Sequence, residues 1–236
     1  MNLDPLNHAA SPTSGAALIE APGDADSATQ SKSSSDSEPL RGNRLNRWSV
    51  WRARLSIPSL LAHGDEKSVV SVFTAVNGGL TILIISLLAW LCDLPLLFAA
   101  LGPTSFILHS APLSIQAAPR SIILGHYIGI GCGVVSLTIF SFLAGETITL
   151  EGGGGAVLCS ASLALAGTCY FLVRCSCPHA PACASALVVA LGAASTLTAV
   201  LCMAVAVVLV TAQAFALNRL ACLPVPLWAP RPRNLV

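Results

Sequence analysis

Val69–Leu91 reads VVSVFTAVNGGLTILIISLLAWL, twenty-three residues without a charged side chain. About 20 apolar residues in a helix cross the ~30 Å hydrocarbon core of a bilayer, so this stretch reads as a membrane span. Its surroundings extend the reading. Between Val69 and Leu217 the chain carries five charged side chains, Asp93, Arg120, Glu146, Glu151 and Arg174, each at a break between apolar segments. A charge at bilayer depth costs about 2.5 kcal/mol or more. So long a bare region is a membrane domain. Hydrophobic residues make up 54% of the chain and charged residues 10%, against about 45–50% and 25% in globular domains.

The apolar block divides into six segments: Val69–Leu91, Leu94–Leu108, Ser121–Leu143, Gly155–Val173, Ala182–Leu191 and Ser195–Leu217. Helices are expected, because every backbone group in lipid must be satisfied within the segment and the runs lack the alternation of barrel strands. The fold class is therefore all-α, a polytopic helical membrane protein. The second and fifth segments are short, and Gly102-Pro103 and Pro181 interrupt or open them. With six crossings and the N-terminus inside, the inner loops hold Arg120, Arg174, Arg219, Arg231 and Arg233, and the outer loops hold Asp93, Glu146 and Glu151. All twelve basic residues then share one side, as the positive-inside rule asks. Both termini are expected there, on the cytosolic or equivalent side.

Four regions follow. Residues 1–40 are polar and rich in Ser, Ala, Asp and Pro, with too little apolar surface to offset ordering entropy; a disordered tail is expected. Residues 41–67 mix Arg41, Arg44, Arg47, Arg52 and Arg54 with Trp48 and Trp51, the composition of a basic interfacial segment. Residues 68–220 form the transmembrane domain, and 221–236 a C-terminal tail. The basic cluster is short and borders a membrane segment, so the bilayer is the expected partner and nucleic acid is not. A homo-oligomer is left open. The nine cysteines read as small apolar packing residues, since no secretory leader precedes them.

Segments one to three and four to six share a rhythm of long, short and broken, long. Gly102-Pro103-Thr104-Ser105-Phe106-Ile107-Leu108 resembles Ala180-Pro181-Ala182-Cys183-Ala184-Ser185-Ala186-Leu187. Three crossings per repeat invert the second half. Matching short, Gly/Pro-interrupted segments in inverted repeats point to a transporter's binding site. Helix starts leave unpaired amides with partial positive charge. Gly102, Thr104, Ser105, Pro181 and Ser185 lie at the two starts, His179 just before the second, and Arg120 and His126 open the third segment. These eight residues are the candidate substrate site, suited to a small oxyanion held without a full buried positive charge. His109 reads as a solvated residue ending segment two, and Asn77 as interhelical packing glue.

Three ordered stretches carry a family resemblance. Cys177-Pro178-His179-Ala180-Pro181-Ala182-Cys183-Ala184-Ser185-Ala186-Leu187 is similar to the signature of the HPP integral membrane proteins, a His-Pro-Pro followed by a small, Gly-containing run and an apolar helix. Leu101–Leu108 resembles that family's short Gly-x-x-Ser/Ala helix. Ala118-Pro119-Arg120-Ser121-Ile122-Ile123-Leu124-Gly125-His126 resembles its Pro-Arg…Gly-His element, and Asn218-Arg219-Leu220 falls where its last helix ends. The resemblance covers roughly residues 68–220 and implies a transporter-like protein, with nitrite as the substrate associated with plastid and cyanobacterial members. The chain departs from the pattern at Ala180, where the first Pro of the pair stands, and at Cys183, where a Gly is usual.

No cofactor and no enzymatic activity are expected, since no nucleophile elbow and no carboxylate pair beside a histidine is present. Two other readings compete with an anion transporter. Cys175-x-Cys177-x-His179, with Cys183, offers thiolate and imidazole ligands for a membrane-bound metal or redox protein. A non-transporting scaffold that recruits partners through its tail is the other.

Overall fold

The computed structural model describes residues 56–152 and 154–229. The tail 1–40, the arginines and tryptophans of 41–55, and Arg231 and Arg233 lie outside the described residues. Among the described residues there are seven α-helices and no strand: α1 Ile57–His63, α2 Glu66–Cys92, α3 Leu101–Ser110, α4 Pro119–Ala144, α5 Gly155–Arg174, α6 Pro181–Ala190 and α7 Leu197–Leu220. Four of them, α2, α4, α5 and α7, are long and apolar enough to cross a membrane. The polytopic helical fold is as the hydropathy pattern requires.

The helix ends have local causes. Asp65 caps α2 by accepting from the Ser68 amide at 2.9 Å, a bond that holds its carboxyl below the ordinary range. Asp93 ends α2 in the left-handed region. Pro119 and Pro181 open α4 and α6 at their first position, where the missing N–H costs no helical bond. Thr196 caps α7 through the Ala199 amide.

One segment differs from its sequence expectation. The helical part of Leu94–Leu108 begins only at Leu101, after residues that carry no helix. Pro95 restricts the residue before it, and the chain runs without helix to Leu101, where a ten-residue helix begins with Pro103 in its first turn. At 1.5 Å per residue, α3 and α6 each reach about 15 Å, half a hydrocarbon core.

Packing sets the directions. Residues Ser121, Ile122, Gly125, His126, Gly129, Ile130 and Gly133 form the buried stripe of α4. A side chain at Gly129 would run into the Ala182 carbonyl, and one at Gly133 would lie 2.7 Å from Ala186 O. These two glycines let the α6 backbone lie directly on α4, the small-residue contact of membrane helices. The contacts ascend together, so α4 and α6 run parallel. Helix α5 is antiparallel to both, tied by Ser136 Oγ donating to Ser160 O at 2.6 Å and Ser160 Oγ donating to Ala190 O at 2.9 Å.

The other half mirrors this arrangement. Helix α3 packs against α7, where Asn218 Nδ2 donates to Leu108 O at 2.9 Å. Ile85, Leu101, Leu108, Ile122, Val207 and Val210 fill the core between α2, α3, α4 and α7, and Ile130, Val157, Val189 and Met203 fill the one between α4, α5, α6 and α7. Each short helix thus packs on the third helix of the opposite half, as an inverted repeat demands. The start of α1 joins the end of α7 through Ile57 N donating to Ala221 O at 3.2 Å, which puts the beginning of α2 and the end of α7 at one end of the bundle. Much of α2 faces outward, with Val72, Val76, Leu83, Leu87 and Leu91 exposed; such a face suits acyl chains rather than water.

Candidate functional site

Four of the eight candidate residues converge. Thr104 on α3, His126 on α4, His179 before α6 and Ser185 on α6 are each at most 1% exposed. His126 Nε2 lies 3.0 Å from Thr104 Oγ1, and His179 Nε2 lies 3.2 Å from both Thr104 Oγ1 and His126 Nε2. His126 Nδ1 meets Ser185 Oγ at 2.7 Å. The imidazole rings stand edge to face, centroids 4.9 Å apart, and Phe98 abuts His126 at 6.3 Å. Gly125 admits His179 here: a Cβ on it would lie 3.1 Å from the His179 Cβ.

A residue the sequence reading passed over holds His179. Gln116 accepts from His179 Nδ1 through its backbone carbonyl at 2.8 Å, and its side chain accepts from the Ala180 amide at 3.4 Å. Gln116 sits in a single 3-10 turn, Ile115–Ala117, ahead of α4 and carries no pattern that marks it. The Ala180 amide exists because the family's proline is absent there, so that departure adds a bond at the entry to α6.

The other candidates stand apart. Ser105 turns to α2 and donates to Gly78 O at 3.4 Å. Gly102 is exposed, with open space where a Cβ would be. Pro181 is buried at the first turn of α6 and serves the helix start. Arg120 reaches the end of α5, donating to Cys175 O at 3.0 Å and Ser176 O at 3.3 Å. A cation there satisfies terminal carbonyls, and it anchors the loop that carries His179.

The helix-start chemistry also differs from expectation. At α6, Ala182 N donates to His179 O and Cys183 N to Ala180 O; at α3, Leu101 N donates to Phe98 O and Thr104 N to Ala100 O. These amides are spent on tight local turns, so the cluster's polar groups are side chains. Asn77 bonds its own helix, donating to Phe73 O at 2.9 Å. His109 is buried, not solvated, and its Nε2 lies 3.0 Å from Thr81 Oγ1. The four-residue spacing from Ser105 to His109, facing Gly78 and Thr81, could have shown this second polar contact.

The Cys175-x-Cys177-x-His179 reading gains no geometry. Both His179 nitrogens are engaged elsewhere, and among the described residues no three His, Cys, Asp or Glu side chains gather where a metal ion would need them. Cys183 turns to α5, its Sγ 4.0 Å from that of Cys169, so it does not intrude on the cluster.

Comparison with curated proteins and with solved structures returns no match. The family model described as HPP, transmembrane region, matches residues 65–224. That stretch runs from the cap of α2 to just past α7 and takes in every residue of the histidine cluster; the chain is an integral membrane protein belonging to the HPP transmembrane family.

Proposed function

We propose that this chain is a transporter, not an enzyme, and that it carries a small inorganic anion through the Thr104–His126–His179–Ser185 cluster. The observation that supports this reading most is the 3.2 Å contact between Thr104 Oγ1 and His179 Nε2. It joins the short helix of one half to the start of the short helix of the other, where inverted-repeat transporters bind substrate. Relative movement of the halves would open that contact to either side. The hydroxyls and imidazoles suit an oxyanion of nitrite's size, and nitrite is the first substrate to test. Both ends of the bundle chain are assigned to the cytosolic or equivalent side, following the basic residues.

Uptake of nitrite and nitrate into vesicles holding the purified chain tests this. Thr104→Val and Ser185→Ala each remove a hydroxyl partner from a buried histidine, worth about 1–3 kcal/mol, and should cut the initial rate about tenfold. Ser105→Ala should leave it within about twofold, because Ser105 faces α2. Equal rates in all three variants would remove the cluster from the pathway.

A further inference from the structure

The protons of the cluster can be counted. The Gln116 carbonyl only accepts, so His179 Nδ1 carries a hydrogen and neutral His179 presents a bare Nε2. Thr104 gives its hydroxyl hydrogen to Ala100 O at 2.8 Å, which leaves Oγ1 with lone pairs only. The remaining donor in the triangle is His126 Nε2–H, placed 3.0 Å from Thr104 Oγ1 and 3.2 Å from His179 Nε2. Neutral His126 is then bare at Nδ1, where the Ser185 hydroxyl donates at 2.7 Å. The third edge, Thr104 Oγ1 to His179 Nε2 at 3.2 Å, holds no hydrogen. The triangle lacks one proton, and His179 Nε2 is its seat.

Filling that seat alone is unfavourable. His179 would become a buried imidazolium; its new N–H can turn to Thr104 Oγ1 at 3.2 Å, but His179 Nε2 then no longer accepts from His126 Nε2–H, and nothing offsets the charge. No carboxylate answers the charge: among the described residues, Asp65, Glu66, Asp93, Glu146 and Glu151 are all exposed. The other ionisable groups on the surrounding elements are engaged or distant in kind. On α3, His109 turns to Thr81. On α4, Arg120 is held by Cys175 and Ser176, Tyr127 donates to Ala204 O, and Cys132 faces Gly167. Arg174, Tyr170, Cys159 and Cys175 on or after α5 are exposed, Cys177 is a buried thiol, and Cys169 and Cys183 pair with each other. On α7, Arg219 lies over Phe215, and Cys202 packs in the core beyond α4.

An anion alone fares no better. The amides of Leu101, Thr104, Ala180, Ala182 and Cys183 are spent, and within the triangle it would meet one N–H and no positive charge. Together the two solve each other's problem: once the halves part enough to admit it, an anion bridging the two Nε2 atoms accepts from both N–H groups and cancels the charge. We propose that the site takes a proton and a monovalent anion as a pair, one of each, so that the species moved is the electrically neutral conjugate acid of a small inorganic oxyanion. The inference rests on the transport-site reading above.

Calorimetric titration of nitrate into the purified full-length protein, in buffers of differing ionisation enthalpy at one pH, reads the protons taken up. A slope of one proton per nitrate is expected, with affinity falling about tenfold per pH unit as pH rises. Binding with zero slope would overturn the pairing and leave the anion site standing. Absence of binding for both nitrate and nitrite at any pH would overturn the transport site and the pairing with it. His179→Gln removes the seat and should bring the slope to zero; a slope of one in that variant overturns the assignment. The wild-type slope needs no variant, so a His179→Gln chain that fails to fold leaves the test intact. In vesicles, nitrate accumulation should follow an imposed pH gradient; accumulation that follows a potassium–valinomycin potential instead overturns the neutral pair.

Discussion

The hydroxyl of Ser185 does more than fill space at the start of α6. It is the partner of His126 Nδ1 in the neutral cluster, and its removal strands a buried acceptor. Ser185→Ala should lower thermal stability in detergent by about 1–3 kcal/mol, read from the unfolding midpoint, while Ser162→Ala, on an exposed hydroxyl that bonds its own helix, should shift it by less than about 0.5 kcal/mol. At Ala180 the prediction has the other sign. Its φ of −55° lies in the range proline fixes, and proline there restores the family's pattern. Ala180→Pro should fold, change stability by at most about 1 kcal/mol, and lose only the 3.4 Å bond to Gln116.

Among the elements, α4 is the one that organises the rest. Its glycines let α6 approach at backbone distance, and the approach is what brings His126 to Ser185. Gly129→Ala would drive a methyl into the Ala182 carbonyl. The helices must separate, at about 1–3 kcal/mol for overpacking, so the variant should unfold at a lower temperature and lose uptake together. Gly131→Ala, with open space at its Cβ, should leave both near wild type. The sequence legibly marked the long helices, because hydropathy and breakers report directly on lipid. It also marked Thr104, His126, His179 and Ser185, because polar residues beside a proline-opened helix stand out in an apolar run. It did not mark Gln116, whose role comes from a carbonyl that any residue possesses. Nor did it separate Ser105 from Thr104, since one residue on a helix turns the side chain by about 100° and only packing says which face meets which neighbour.

At the scale of the molecule, the inverted halves place loops at opposite ends. Cys92, the last residue of α2, and Cys175, after α5, are both exposed, and the alternating directions put them on opposite sides. Cys222, after α7, is exposed on the side of Cys175. In sealed vesicles of uniform orientation, a membrane-impermeant maleimide should label Cys92 from one face and Cys175 and Cys222 from the other, in single-cysteine variants. Labelling of all three from one face would overturn the alternation. The tie between Arg120 N and Trp228 O, 3.0 Å long, has a further consequence in time. Val225 is buried, and Leu223 N is bonded to Asn218 O, so residues 222–228 run from the end of α7 to the start of α4. The chain is made from its N-terminus, and α4 enters the membrane long before those residues leave the ribosome. Its first turn therefore waits, unlatched, through the synthesis of α5, α6 and α7. A chain stopped after Cys222 should insert with every helix present, yet stay open to protease near residues 111–120, as a nascent chain is just before its last strand of contacts closes.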